Sequence, residues 1–265
     1  MPETQLAALT DFALALAGVS RAMIDEAITA SQDTRSDANF KPDKTFVTAT
    51  DATIEHRLRA MITAQFPDHG IIGEEDAPHQ KDAEFVWVLD PIDGTAAFIA
   101  GIPVYSTLIA VCHNSRPVIG VMDFPALDAR WLGVEGQPTR LNGAPVRTRL
   151  GAEMGGAFLS TSNPDIYPSA DLKAMKSLRE QTAWRIYGTA ALAYGRLAQG
   201  RVDLAIDSGL KIWDILAFVP VIQGAGGIIT DWTGAPVTLA SGQQVLAAGD
   251  PALHVRALEI IAGEN

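Results

Sequence analysis

Cysteine is almost missing from this chain. Cys112 is the only one in 265 residues, which excludes a disulfide scaffold and any cysteine-based zinc cluster. Basic residues are also scarce: 20 Lys and Arg stand against 31 Asp and Glu, a formal net charge of −11. Nonspecific nucleic-acid binding rests on cations that neutralise phosphates, so no nucleic-acid partner is expected. Metal cations or a cationic small molecule suit an acidic chain better. No apolar run approaches the roughly 18 residues of a membrane span, and no membrane partner is expected. The nearest stretch, Phe12 to Val19, follows Glu3 and Asp11 and no Lys or Arg. Without a basic flank it reads as amphipathic helix rather than signal core, and a cytoplasmic location is expected. The sequence also lacks a GxxxxGK[ST] loop, an HExxH pair, internal repeats and long linkers.

What is present is an apolar fraction of 48%, too high for a disordered chain. The length suffices for a sizeable core. One domain over 1–265 is expected, with sub-halves of about 1–150 and 151–265. Residues 3 to 31 are Ala/Leu-rich and read as a helix, with Gly18 a place for a kink. Residues 33 to 46 are polar and predict a loop. Ile54, Leu58, Met61, Ile62 and Phe66 recur at helical spacing, so a second helix is predicted from about Asp51 to Phe66, capped by Thr50 or Asp51 and ended by Pro67. A loop with Gly70 and Gly73 follows. Strands are predicted at 85–89, 107–112, 117–122, 130–134, 157–161, 184–187, 202–206 and 227–231. Helices are predicted at 170–181, 189–198 and 214–224. Helices layered on mixed sheets result.

One segment carries chemistry: Trp87-Val-Leu-Asp-Pro-Ile-Asp-Gly-Thr95. A buried strand ends at Asp90, and Asp93 follows three residues later. Two carboxylates at the rim of a core repel each other unless a cation joins them, and hard oxygen ligands suit Mg²⁺ or Mn²⁺. The Gly94-Thr95 turn offers backbone N–H groups to an anion. Metal beside a phosphate cradle means phosphoryl chemistry. Alone, this would be an ordinary Asp-Pro and Asp-Gly turn. Alone, Gly73-Glu-Glu-Asp76 is an acidic loop, and Trp213-Asp214 and Thr48-Ala-Thr-Asp51 are helix caps. The joint occurrence of all four, in this order, is the signal. An aspartyl-phosphate phosphatase needs Asp-x-Asp-x-Thr, whereas the spacing here is Asp-x-x-Asp-x-Thr. Gly224-Ala-Gly-Gly227 lacks the third glycine of a dinucleotide fingerprint and precedes a strand, so it reads as a tight helix-to-strand junction.

On these motifs the sequence resembles the inositol monophosphatase-like, metal-dependent, lithium-sensitive phosphatases. The segment 87–95, Trp213-Asp214 leading into Gly224-Ala-Gly-Gly-Ile-Ile-Thr-Asp231, Gly73-Glu-Glu75 and Val47-Thr-Ala-Thr-Asp51 carry the likeness over about residues 41 to 235. The resemblance implies an α+β fold, the layered αβαβα sandwich of the inositol monophosphatase and fructose-1,6-bisphosphatase type. It implies two or three Mg²⁺ ions, with Mn²⁺ as a substitute. Glu74, Asp90 and the Ile92 carbonyl would hold the first ion, and Asp90, Asp93 and Asp214 the second. Glu74 would help hold a third. Thr95, bonded to Asp51, would orient the water nucleophile. Gly94 and Thr95 would grip the phosphate, with Gly188, Thr189, Ala190, Asp207 and Asp214 as further substrate contacts. A homodimer is also implied.

Three segments resemble the histidinol-phosphatase branch: Lys41 to Thr48, Ser160-Thr-Ser-Asn-Pro164, and Tyr194 to Asp214. They imply histidinol phosphate, a cationic phosphate monoester. Inositol monophosphate, or a broad range of sugar and polyol phosphates, is the alternative; Ala96 fits neither branch, and Trp213 fits the inositol branch. A third reading is a phosphatase fold with a mainly protein-binding, regulatory role. The polar loop at 33–46, with Lys41 and Lys44, is expected to fold over the site.

Overall fold

A computed structural model of the chain describes residues 1–30, 38–40 and 46–263. A 28-residue helix, α1 (Glu3–Ala30), opens the chain. Two short strands, β1 (Ala38–Phe40) and β2 (Phe46–Thr48), pair antiparallel where only loop was expected. Residues 31–37 and 41–45 lie outside the described residues, and with them Lys41, Lys44 and the expected covering of the site. Helix α2 (Ala49–Gln65) starts two residues earlier than predicted. Thr48 is its cap, in a capping box with Asp51, so Asp51 is the third helical residue rather than the cap.

The first large sheet contains β3 (Gly70–Gly73), β4 (Phe85–Asp93), β5 (Ser106–His113), β6 (Arg116–Phe124), β7 (Ala129–Val134), β8 (Arg140–Leu141) and β9 (Ala144–Pro145), in that spatial order, with α3 (Thr95–Ala100) after β4. The 70–73 segment, predicted as loop, is a fully buried strand parallel to β4. The second sheet has the order β11-β10-β12-β14-β13, from β10 (Phe158–Thr161), β11 (Trp184–Tyr187), β12 (Leu204–Asp207), β13 (Ile228–Thr230) and β14 (Val245–Ala248). The remaining helices are α4 (Leu172–Gln181), α5 (Leu192–Ala198), α6 (Ile212–Ile215), α7 (Phe218–Gly224) and α8 (Pro251–Ala262). Strand β14 and helix α8 lie beyond the last element that the sequence pattern picks out.

Two helix boundaries depart from expectation for backbone reasons. Helix α5 begins at Leu192 rather than residue 189 because Gly188 and Ala190 have φ of +72° and +45°, a left-handed conformation that no right-handed helix accommodates. The single helix expected at 214–224 is two, α6 and α7. Pro220 is the third residue of α7, where its missing N–H is one the helix would not use.

Alternation along the strands divides the core into layers. Trp87, Leu89, Ile109, Val111, Ile119 and Val121 pack with α1 and α2 on one face of the first sheet. Val86, Val88, Leu108, Ala110 and Met122 face the other way, against Tyr194, Leu197, Phe218, Val221 and Ile222 of α5 and α7. That helix layer also covers Ala205, Val245 and Ala247 of the second sheet. Leu159, Leu204, Ile206 and Leu246 close the far side with α4 and α8. The result is the α+β, five-layer αβαβα sandwich. Both faces of β4 are covered, which is why its sequence is continuously apolar.

Helix α1 is by length and composition apolar enough to cross a membrane, although no uninterrupted apolar run marks it in the sequence. It is also packed: Leu9, Ala13, Leu16, Ala17, Ser20 and Ile24 are buried along one face, and Phe12 meets Phe66 and Trp87 edge-on. Arg21 ties it to the buried Asp123 of β6.

Helix α7 sits unusually close to the first sheet. Gly120 and Gly133 are directly paired on β6 and β7. A Cβ on Gly120 would stand 2.1 Å from the Ala217 carbonyl oxygen, and one on Gly133 would stand 2.3 Å from Pro220 and Val221 backbone atoms. Only glycine permits this approach, and it brings the α6–α7 segment down beside β4 and β5.

Candidate active site

Asp90 and Asp93 are an odd number of residues apart, so a regular strand would aim them at opposite faces. The β4–β5 register prevents this. Asp90 pairs with Leu108 and Asp93 with Ser106, so β4 carries one extra residue between them. That bulge restores the parity and turns both carboxylates to one side. Pro91 sits in the bulge, where a missing N–H is tolerated. Its carbonyl accepts the Thr107 hydroxyl at 2.9 Å, and Thr107 in turn meets Ser20 of α1 at 2.6 Å.

Asp214, in the first turn of α6, completes the cluster. One oxygen from each of Asp90, Asp93 and Asp214 lies within 4.8 Å of the others. Asp93 is partly buried and accepts the Ala191 N–H at 3.1 Å and the Ser106 hydroxyl at 3.3 Å. Asp214 accepts the Lys211 N–H at 2.6 Å. Asp90 is buried, and its Oδ1 has no hydrogen-bond partner; among the described residues only Trp131 Nε1 shares that condition. Burial, reinforced by Glu74, Asp93, Asp214 and Asp51, pushes the Asp90 pKa well up. Burial also raises Asp93 to about 6 and Asp214 to about 8, each against the hydrogen bonds they accept. A buried, unpartnered oxygen among converging carboxylates fits a hard divalent cation.

Glu74 follows β3, whose parallel register sets Gly73 beside Leu89 and therefore Glu74 beside Asp90. Thr95 Oγ1 donates to the Ile92 carbonyl at 3.1 Å and reaches Asp51 Oδ1 at 3.5 Å. Asp51 is buried and pushed up to about 6, chiefly by desolvation, while the Thr48 hydroxyl and N–H oppose the rise. Gly94 precedes α3 with φ +77°, a conformation glycine adopts freely. The 188–191 loop closes over it: a Cβ on Gly94 would lie 3.6 Å from that of Ala190. Thr189 Oγ1 meets Ser160 Oγ at 3.0 Å.

Asp207, implied by the resemblance as a substrate contact, is placed inside the protein rather than on the cleft surface. It is buried, and accepts the Ser162 N–H at 2.7 Å, the Tyr167 and Tyr194 hydroxyls at 2.8 Å each and the Thr161 hydroxyl at 3.2 Å. Both oxygens are spent inside the protein, so the carboxylate ties β10, β12 and α5 together.

Sequence reasoning passed over Glu55 and Arg59. Glu55 is fully buried on α2 and accepts the Glu75 N–H at 2.9 Å, the Asp76 N–H at 3.0 Å and Arg59 Nε at 2.7 Å. A signal existed. Asp51, Glu55, Leu58 and Ile62 form one helical stripe, and a charge on a buried stripe needs partners.

Comparison with known proteins bears on this site. The model described as "Inositol monophosphatase family" matches residues 5–264. A chloroplastic bifunctional phosphatase, IMPL2, from Arabidopsis thaliana is 43% identical over 83% of this chain and 66% of its own length. The chain thus spans just under two thirds of that relative. A histidinol-phosphatase from Mycobacterium tuberculosis is 34% identical over 73% of this chain and 77% of its own. The solved structure of an inositol monophosphatase from Zymomonas mobilis is 34% identical, covers 96% of this chain and 97% of its own, and superposes with a TM-score of 0.83.

Proposed function

Because the chain belongs to the inositol monophosphatase family, we propose that its site hydrolyses inositol monophosphate or a related polyol phosphate, with Mg²⁺ as its ion. The chain is a phosphoric monoester hydrolase of this metal-dependent fold. The observation that carries the reading is the convergence of Asp90, Asp93 and Asp214 within 4.8 Å around an unpartnered buried oxygen, next to the Gly94-Thr95 turn. Glu74, Asp90, Asp93, Asp214 and the Ile92 carbonyl would hold the ions. When bound, such ions make water a nucleophile at neutral pH and neutralise charge on the transferring phosphoryl group.

The protein's own groups supply the rest. Thr95, the first residue of α3, has an N–H that the helix does not use, and with that of Gly94 it would bind phosphate oxygens. The Thr95 hydroxyl, suspended between the Ile92 carbonyl and Asp51, would orient the attacking water and pass its proton to Asp51 Oδ1. A carboxyl raised to about 6 is a competent proton acceptor near neutrality. Gly188, Thr189 and Ala190 would line the same cleft, because their loop is bonded to Asp93 through Ala191.

Inositol monophosphate ranks ahead of histidinol phosphate because the Zymomonas enzyme is matched over nearly the whole of both chains. Histidinol phosphate, implied by the branch-like segments, is kept as the second reading on the strength of the histidinol-phosphatase relative. The deciding measurement is kcat/KM on the two pure substrates with saturating Mg²⁺. A hundredfold preference for histidinol phosphate overturns the first reading.

A further inference from the structure

Beside the carboxylate cluster lies a buried ion pair, Glu55 and Arg59, bonded to the loop that carries Glu74. Glu55 is on α2 one turn after Asp51, on the same face. Its carboxylate is 0% exposed and lies directly under Gly73. A Cβ at Gly73 would fall 2.2 to 2.6 Å from the Glu55 carboxylate atoms. From there Glu55 accepts the N–H groups of Glu75 and Asp76, at 2.9 and 3.0 Å. Arg59 binds the other side of the same loop. Its Nε meets Glu55 at 2.7 Å, and its two terminal nitrogens donate to the Asp76 carbonyl at 2.9 Å and the Ala77 carbonyl at 3.1 Å. Four hydrogen bonds from one helical turn, braced by the Glu55–Arg59 pair, therefore clamp the backbone immediately after Glu74.

A buried carboxylate beside four others would be expected to add to their repulsion. Here it does not, because Arg59 and two N–H groups neutralise it locally. The arrangement is also geometrically economical. One turn of α2 holds Thr95 through Asp51, and the next holds the Glu74 loop through Glu55. The same helix thus references two parts of the site to each other. A loop rich in acidic residues would otherwise splay outward, since Glu74 faces Asp90 across adjacent strand ends and like charges separate.

We infer that Glu55 and Arg59 are positioning residues that preset Glu74 for metal binding. This rests on the metal-dependent reading of the site above. Groups that orient metal ligands typically change metal affinity by roughly 10–100-fold when removed. The test uses the full-length chain stripped of metal and titrated calorimetrically with Mn²⁺ alone. Glu55→Gln keeps the shape but sets an amide N–H₂ against the loop's N–H donors or Arg59. Mn²⁺ affinity is expected to fall about tenfold, and kcat is expected to return to within threefold of wild type at saturating Mg²⁺. Arg59→Lys keeps a cation beside Glu55 and loses the grip on the Asp76 and Ala77 carbonyls; it should shift Mn²⁺ affinity in the same direction and stands in if the first variant does not fold. Affinity within twofold of wild type in a folded variant overturns the positioning role, as does a kcat that saturating metal does not restore. A wild-type chain that binds no Mn²⁺ overturns the metal reading itself.

Discussion

Replacing Asp90 by Asn should stabilise the metal-free protein while abolishing its metal response. The structure places an oxygen of Asp90 within 4.8 Å of oxygens of Asp93 and Asp214. Two unit charges at that distance repel by about 3.5 kcal/mol at an effective dielectric of about 20. Protons relieve part of this. Each cluster carboxyl has a pKa raised above its unfolded value, with Asp93 near 6 and Asp214 near 8. Between pH 4 and 8 the folded, metal-free chain therefore binds more protons than the unfolded chain, and its stability falls as pH rises. Removing one ionisable group at pH 8 should recover about 2 kcal/mol, less than the roughly 3.5 kcal/mol per pair because burial leaves Asp90 protonated part of the time. For a chain of this size that corresponds to roughly 4–8 °C in Tm. The gain should vanish near pH 5, where the wild-type carboxyls hold protons. The Asn amide also gains acceptors in Asp93 and Asp214. Saturating Mg²⁺, at about a hundred times its Kd, should stabilise the wild type by about 2.7 kcal/mol and leave the variant unmoved. Thermal melts in EDTA and in Mg²⁺, at pH 5 and 8, measure all four quantities. A variant that melts below wild type in EDTA at pH 8, or one with a full Mg²⁺ shift, refutes the reasoning.

Three further outcomes are expected. Thr95→Ala should lower kcat by roughly 10²-fold while Mn²⁺ affinity, read by calorimetry, stays within twofold; an unchanged kcat removes the water-orienting role. Gly120→Ala forces a methyl to within 2.1 Å of the Ala217 carbonyl oxygen, so it should cost about 1–3 kcal/mol by overpacking and weaken metal binding as Asp214 is pushed from β4; a melt and an Mn²⁺ titration like the wild type would show that α6 is held in some other way. The Mg²⁺ concentration for half-maximal activity should fall as pH rises from 6 to 8, because metal competes with protons for Asp93 and Asp214; a flat dependence would mean that these carboxyls are already ionised at pH 6.

Local chemistry was legible where one residue type had one physical meaning. A continuous apolar run read as a doubly covered strand, and β4 spans Phe85–Asp93. The alternation to helical spacing after residue 51 marked α2. Signals failed where two local readings compete. The segment 70–73 is as short and glycine-flanked as a turn, and only its parallel pairing with β4 makes it a strand. Thr48, Thr50 and Asp51 are all good caps, and the capping box decided among them. Glu55 was marked only by its place on the buried stripe of α2, and no spacing rule announces the loop backbone it binds.

By itself, then, the sequence determined which side chains are available and much of the secondary structure that carries them. Carboxylates at 74, 90, 93 and 214, a Gly-Thr turn and an acidic charge balance can be read from residue identities and periods. Their convergence could not be. Asp214 is 121 residues beyond Asp93 in the chain (214 − 93), and it reaches the cluster because a paired Gly120 and Gly133 let α7 lie against the first sheet. Asp90 and Asp93 face one way because a bulge, set by pairing with β5, shifts the parity between them. The fate of Asp207 was likewise a tertiary matter: two tyrosines from distant segments consume the carboxylate that residue type alone would have offered to a ligand. Propensity and period act over a few residues, whereas a site's geometry depends on how close backbones can approach, and that is settled only when the layers pack.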